Sequence, residues 1–278
     1  GKVSSITDSL NLSGRTVLKS FNGPDVFSLG NNAFSGCTSL ESVDVPKAKT
    51  IGNYAFRNTK ISDVHHFPGT ETFAATVFHG CTLFRNVLLS AAKTLTETFD
   101  GNTNILTLSC PLANDVGYRA CRSASNLLTA SFPEALTVGE SAFESCSSLV
   151  TVNLAKAKTF GRSAFYHCTN LTAISLPAAE TLARNVFNGC TKLEDVALPL
   201  CRQIELGCFY GTKIAGAQTF ASLQTIVGES GSGNYGAFYG TLITEIHLPA
   251  CAVIGGSADR AINGAFADCT SLGQADLP

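Results

Sequence analysis

The 278-residue sequence contains no Met and no Trp. It is also short of charge. Its 19 Lys and Arg and 21 Asp and Glu make up 14% of the chain and leave a net charge of −2, where a typical globular protein carries roughly 25%. The two signs are scattered, which excludes a basic footprint for nucleic acid or a polybasic patch for an anionic membrane. No apolar run approaches the roughly 18–20 residues of a membrane span, and no signal-peptide pattern is present. Hydrophobic residues at 45% with little net charge argue against disorder. The familiar catalytic signatures are missing as well: there is no Gly-x-Ser-x-Gly elbow, no His-Glu-x-x-His and no Walker loop. Gly231-x-Gly233-x-x-Gly236 matches a dinucleotide motif in letters only, because no strand–helix unit flanks it. Among the five His, only Asp63-x-His65-His66 forms a local cluster, and a solvated strand edge explains it more simply than a metal site or proton shuttle. The sequence therefore predicts no catalytic residue, no metal ligand and no cofactor.

What is present is a repeat. Phe34, Phe56 and Phe78 are 22 residues apart, Phe99 follows after 21, and Cys121, Phe143, Phe165, Phe187 and Phe209 continue at 22. Phe238 and Phe266 come after longer steps of 29 and 28. Counting from each Phe, the third residue is often Cys and the sixth Leu or Ile. The ninth and eleventh are apolar, as in Val43/Val45, Ile174/Leu176 and Val196/Leu198, and Pro often follows. Then come Ile/Leu/Phe-Gly and the next Ala-Phe. The Val-x-Leu alternation predicts a short strand with one face inward. Pro, which has no N–H to donate, ends it. Twenty-two residues leave no room for a three-turn helix, so the return path must be 3₁₀ turns, extended chain or a short helical turn. A unit of this size cannot bury its own apolar face; stacked units bury a continuous core.

Leu-x-x-Leu-x-Leu on a short period is a leucine-rich-repeat pattern. Ile51-Gly52-Asn53-Tyr54-Ala55-Phe56, Ala142-Phe143-Glu144-Ser145-Cys146-Ser147-Ser148-Leu149, Ala164-Phe165-Tyr166-His167-Cys168-Thr169-Asn170-Leu171 and Ile174-Ser175-Leu176-Pro177 give it a resemblance to BspA-like (Treponema/Bacteroides-type) leucine-rich-repeat surface proteins over residues 26–278. The resemblance implies a right-handed solenoid of about eleven 22-residue coils. A parallel sheet would line its concave face, with short 3₁₀, turn or extended segments on the convex side. One domain is expected over 1–278, with 1–25 a degenerate first coil or cap. The chain opens on Gly1 and stops in mid-unit at Ala275-Asp276-Leu277-Pro278, so it is expected to be a piece of a longer protein.

Every one of the eleven Cys falls where other units carry an inward residue. That register predicts buried free thiols, small hydrophobes in effect. Rung-to-rung disulfides among Cys146, Cys168 and Cys190 are the alternative.

For function the resemblance implies a non-enzymatic interaction or adhesion module of a cell-surface or secreted protein. It would be a monomer binding protein, such as a host matrix or surface protein, and not nucleic acid. A passive spacer displaying other domains is the rival reading. The outward strand positions, including Asn153 and Ser175, are small, polar and nearly uncharged and lack the Tyr, Trp and Arg anchors of strong interfaces. The two long units place insertions side by side on one edge, with Asn234, Tyr235, Asp259 and Arg260 as candidate contacts.

Overall fold

The computed structural model describes residues 5–6, 11–62, 67–227, 236–254 and 264–277. The chain is a parallel β-solenoid whose coils have three hydrogen-bonded sides. The first side is the strand expected from the Val-x-Leu alternation. It carries Ser42–Asp44, Asn86–Leu88, Thr107–Ser109, Thr129–Ser131, Thr151–Asn153, Ala173–Ser175 and Asp195–Ala197. The middle residue of most of these strands, such as Val43, Val87, Leu108 and Ile174, is buried, and the residues on either side face outward.

The second side is an extended return path that forms a sheet of its own. Two-residue strands such as Thr50–Ile51, Thr94–Leu95, Thr159–Phe160 and Thr181–Leu182 build one parallel sheet of 12 strands. Thr faces out and the large apolar residue faces in, the placement that β-branched residues favour. Gly follows where coils come closest: a Cβ on Gly161 would stand 2.6 Å from the backbone N of Glu140 in the coil before. Among the described residues only 264 and 265 are helical.

The third side is the Ala-Phe corner. From the Phe34 corner to the Phe209 corner the residues two before and two after the Phe position adopt a left-handed backbone, for example Ser163 (φ 57°) and His167 (φ 58°) around Phe165; at Phe238 and Phe266 only the residue two after does so. This turns three N–H groups per coil toward the next coil. Ser163, Phe165 and His167 donate to the carbonyls of Arg184, Val186 and Asn188 at 2.9, 2.9 and 2.8 Å.

The regular part of the second sheet consists of nine turns, from Ser28 to Thr225 in steps of 21 or 22 residues, rather than eleven equal coils. The outer steps are 23 residues, from Ser5 to Ser28, and 28 residues, from Thr225 to Val253. The second of these spans the long unit after Val227, and the ladder continues across it with Thr225 paired to Val253 and Ile226 to Ile254.

The core is one column of rings. Successive Phe side chains stack with centroids 5.1–5.8 Å apart and planes within 6–20° of parallel, from Phe34 to Phe99 and again from Phe143 to Phe266. Offset stacking at this distance is the favoured geometry for aromatic pairs. At the N-terminal end Leu12 N–H bonds Ala33 C=O at 3.0 Å, and Ser20–Asn22 pairs with Ser42–Asp44.

Candidate functional site

The solenoid's outward strand side is continuous in sequence but not in hydrogen bonding. Asn86–Leu88 through Thr151–Asn153 form one four-stranded sheet, and Ala173–Ser175 with Asp195–Ala197 form another. Elsewhere on this side Thr151 N–H bonds Leu128 C=O at 3.3 Å and Phe132 N–H bonds Asn153 C=O at 2.8 Å. Among the described residues the equivalent bonds do not form between Ala173 N–H and Val150 C=O, or between Leu154 N–H and Ser175 C=O. The second side stays closed at the same step, with Thr159 paired to Thr181 and Phe160 to Leu182. The coils therefore part on the strand side only.

The result is a shallow, open depression of about 340 Å³. Its floor is Val152, half-buried where most of its equivalents, such as Val43, Val87 and Leu108, are buried, together with Ile174. Its rim is mixed: Thr151, Asn153 and Ser175 are exposed beside Ala155, Ala173 and Pro177. Two of the residues expected as contacts, Asn153 and Ser175, thus meet across one opening. An apolar floor with hydroxyl and amide groups above it suits a neutral side chain or an extended peptide whose main chain can use the unpaired N–H and C=O groups. A second interruption lies between Asp195–Ala197 and Ala215–Thr219. The other expected contacts, Asn234, Tyr235, Asp259 and Arg260, lie outside the described residues, as does Asp63-x-His65-His66.

The cysteines are free thiols; ten are buried and Cys269 is half-buried. Those three residues after the Phe share one role. Cys81, Cys146, Cys168 and Cys190 each donate Sγ–H to the carbonyl at the Phe position of the preceding coil (Phe56, Cys121, Phe143 and Phe165), all at 3.1 Å. Thr59, Thr212 and Thr241 occupy the same position in other coils and bond the Phe carbonyl of their own coil at 2.8–2.9 Å. The position therefore calls for a small side chain with a donor, which a thiol satisfies with little desolvation cost. Burial pushes the thiols up, Cys81 and Cys201 to about 11 and Cys110 and Cys146 further. None of these four is poised as a thiolate nucleophile. Among the described residues no three His, Cys, Asp or Glu side chains gather as metal ligands. No described helix is long and apolar enough to cross a membrane.

Exposed ion pairs link neighbouring coils outside the strand side, as in Lys49–Glu71–Lys93 (3.1 and 2.5 Å) and Lys158–Glu180 (3.0 Å). The two lysines hold the Glu71 carboxyl below its ordinary range. Such solvated pairs fix register more than they add stability.

A stack of short parallel strands on a 22-residue step, with inward Leu, Val and Phe at fixed positions, defines a leucine-rich-repeat solenoid, a class whose extended surfaces serve as interaction scaffolds. The model of the BspA type leucine rich repeat region matches residues 13–114 and 114–231, in six copies, and the chain belongs to that family. In fold it is similar to a leucine-rich repeat protein from Bacteroides ovatus, at 18% identity and a TM-score of 0.53, covering 95% of this chain and 74% of that one. It is also similar to a leucine rich cell surface protein from Faecalibacterium prausnitzii (16% identity, TM-score 0.39, 93% of this chain and 59% of that one). A third is the pneumococcal vaccine antigen PcpA (14% identity, TM-score 0.41, 96% and 70%). No curated protein matches the chain.

Proposed function

We propose that this chain is a non-catalytic protein-interaction module of a cell-surface or secreted protein, serving adhesion to a host or matrix protein. The observation that carries the reading is the opening between Thr151–Asn153 and Ala173–Ser175. There two paired stretches of the strand side part and offer free main-chain groups over an apolar floor. The insertions holding Asn234, Tyr235, Asp259 and Arg260 extend the reading to a second contact region.

The test is binding of the folded chain to an array of host matrix and surface proteins, alongside an Asn153→Arg/Ser175→Arg variant and one lacking 229–236 and 257–263. A saturable hit lost in the double Arg variant places the contact at the opening. A hit lost only on deletion places it on the insertions. Elsewhere the strand side carries mostly small polar side chains, with exposed Leu88 and Leu242 among the exceptions, which favours a spacer as the second reading. No hit from a folded sample would establish the spacer and end the adhesion proposal.

A further inference from the structure

The strand side lacks interface anchors, but the chain does not. All five described tyrosines lie within three residues of the Phe column: Tyr54 and Tyr118 just before it, and Tyr166, Tyr210 and Tyr239 directly after it. Arg57, Arg119 and Arg122 share the same corner. Tyr and Arg are the residues that dominate interface energy, and here the repeat gathers them along one edge, away from the strand side.

Near the N-terminal half this edge holds a groove of about 290 Å³ that spans four consecutive coils. Arg57, His79, Asp100 and Arg122 occupy the same position in those coils, one after the other. Arg122 grips Asp100 through two parallel bonds of 2.9 and 2.8 Å, so that carboxylate is neutralised from within. Arg57 is exposed and has no carboxylate partner among the described residues. Its guanidinium lies 5.6 Å from the centre of the Tyr54 ring, which holds it in place. Between them Thr76 Oγ1 is buried with no hydrogen-bond partner, an exception to the rule that buried polar atoms are satisfied. The groove thus has one unneutralised guanidinium, an imidazole and an unused hydroxyl, all within a few rungs of about 4.8 Å each.

We propose that this groove binds an acidic side chain, Asp or Glu, of an extended segment of a partner protein. The Arg57 fork takes the carboxylate, Thr76 Oγ1 donates to it and His79 flanks it. An acidic polysaccharide offers the same charge, but its carboxylates sit directly on rigid rings, whereas the flexible side chain of Asp or Glu can reach between Arg57 and the buried Thr76 Oγ1. Arg57 lies over one face of the Tyr54 ring, and Arg119 over one face of the Tyr118 ring at 4.6 Å. Four rungs of groove match about four residues of extended peptide. The site is independent of the opening on the strand side.

The test uses the chain as it stands, with a fluorescent hexaglutamate peptide as probe at about 0.15 M salt, where diffuse charge effects are screened. Hexaglutamine and a hexagalacturonate oligomer are the comparisons. The expected result is saturable binding of hexaglutamate, weakened about tenfold or more by Arg57→Gln. Thr76→Val should also weaken it, while Arg85→Gln, on another side of the coil, should not. Both Arg57 and Arg85 are exposed, so the two glutamine variants should melt with the parent. Equal losses in Arg57→Gln and Arg85→Gln would mean undirected attraction and overturn the site. Equal binding of hexaglutamine, tighter binding of the galacturonate, or no saturable binding would overturn it too.

Discussion

Phe132 supplies in its coil the bulk that Cys121 withholds. Cys121 stands where ten other units carry the stacked Phe or its longer-step equivalents, and the ring column stops at Phe99 and resumes at Phe143. Phe132 occupies a position that is Leu in the next two coils, Leu154 and Leu176, and turns its ring onto Phe143 at 5.9 Å and 65°. Cys121 and Phe132 are both fully buried, and Ala130, the small inward residue of the intervening strand, leaves room for the ring.

The exchange predicts a compensating pair. Cys121→Phe alone should overpack and cost about 1–3 kcal/mol, and Phe132→Leu alone should leave a cavity and also destabilise. The double variant should recover more than either single change allows, with a coupling of about 0.5–3 kcal/mol in a denaturation cycle. Simple additivity would show that the two side chains do not share one space.

Interrupting the column elsewhere has no such remedy. Phe165 lies between Phe143 at 5.1 Å and Phe187 at 5.4 Å and is fully buried. Phe165→Ala should cost about 3–5 kcal/mol, read as a fall in the urea midpoint. An unchanged midpoint would refute the register of the core.

The buried thiols give the stability a pH dependence of known sign. Burial raises their pKa in the folded chain, so they stay protonated there while the unfolded chain ionises near 9. Stability should be full below about pH 8 and fall across the window from 9 to 11, by about 1.4 kcal/mol per pH unit for each such thiol. Urea titrations at pH 7, 8.5 and 10 check this. Cys168→Ala should lessen the slope, and a flat profile would contradict the burial of the thiols. Labelling should reach all eleven Cys after denaturation, while the folded chain shields most of them.

Left-handed corners carry strain that Gly relieves. Ser145 has φ of 59°, and its replacement by Gly should stabilise by about 0.5–1 kcal/mol. Gly189→Ala should do the opposite: its φ is 75°, and the new Cβ would stand 2.1 Å from Cδ2 of His167. Thermal melts of the two variants should move in opposite directions.

Much of the architecture was legible because each coil repeats one inward pattern. Phe fixed the column, Val-x-Leu the first strand and Cys a small buried position, each a local property of side-chain period and size, while the bond each thiol donates appeared only in the structure. The second sheet was harder to read, since two residues such as Thr159–Phe160 give no period; only pairing between coils makes them a strand. The Tyr and Arg edge was present in the register of Tyr54, Arg57 and Arg122, but it acquires meaning once the corner is known to face outward. The opening beside Asn153 and Ser175 has no mark in the sequence, because the repeat step is 22 on both sides. Sequence alone determined which residues of this chain point inward, since burial follows from periodicity. The tertiary structure decided where neighbouring coils part and which charges remain unpaired, because both depend on the fit of one coil against the next.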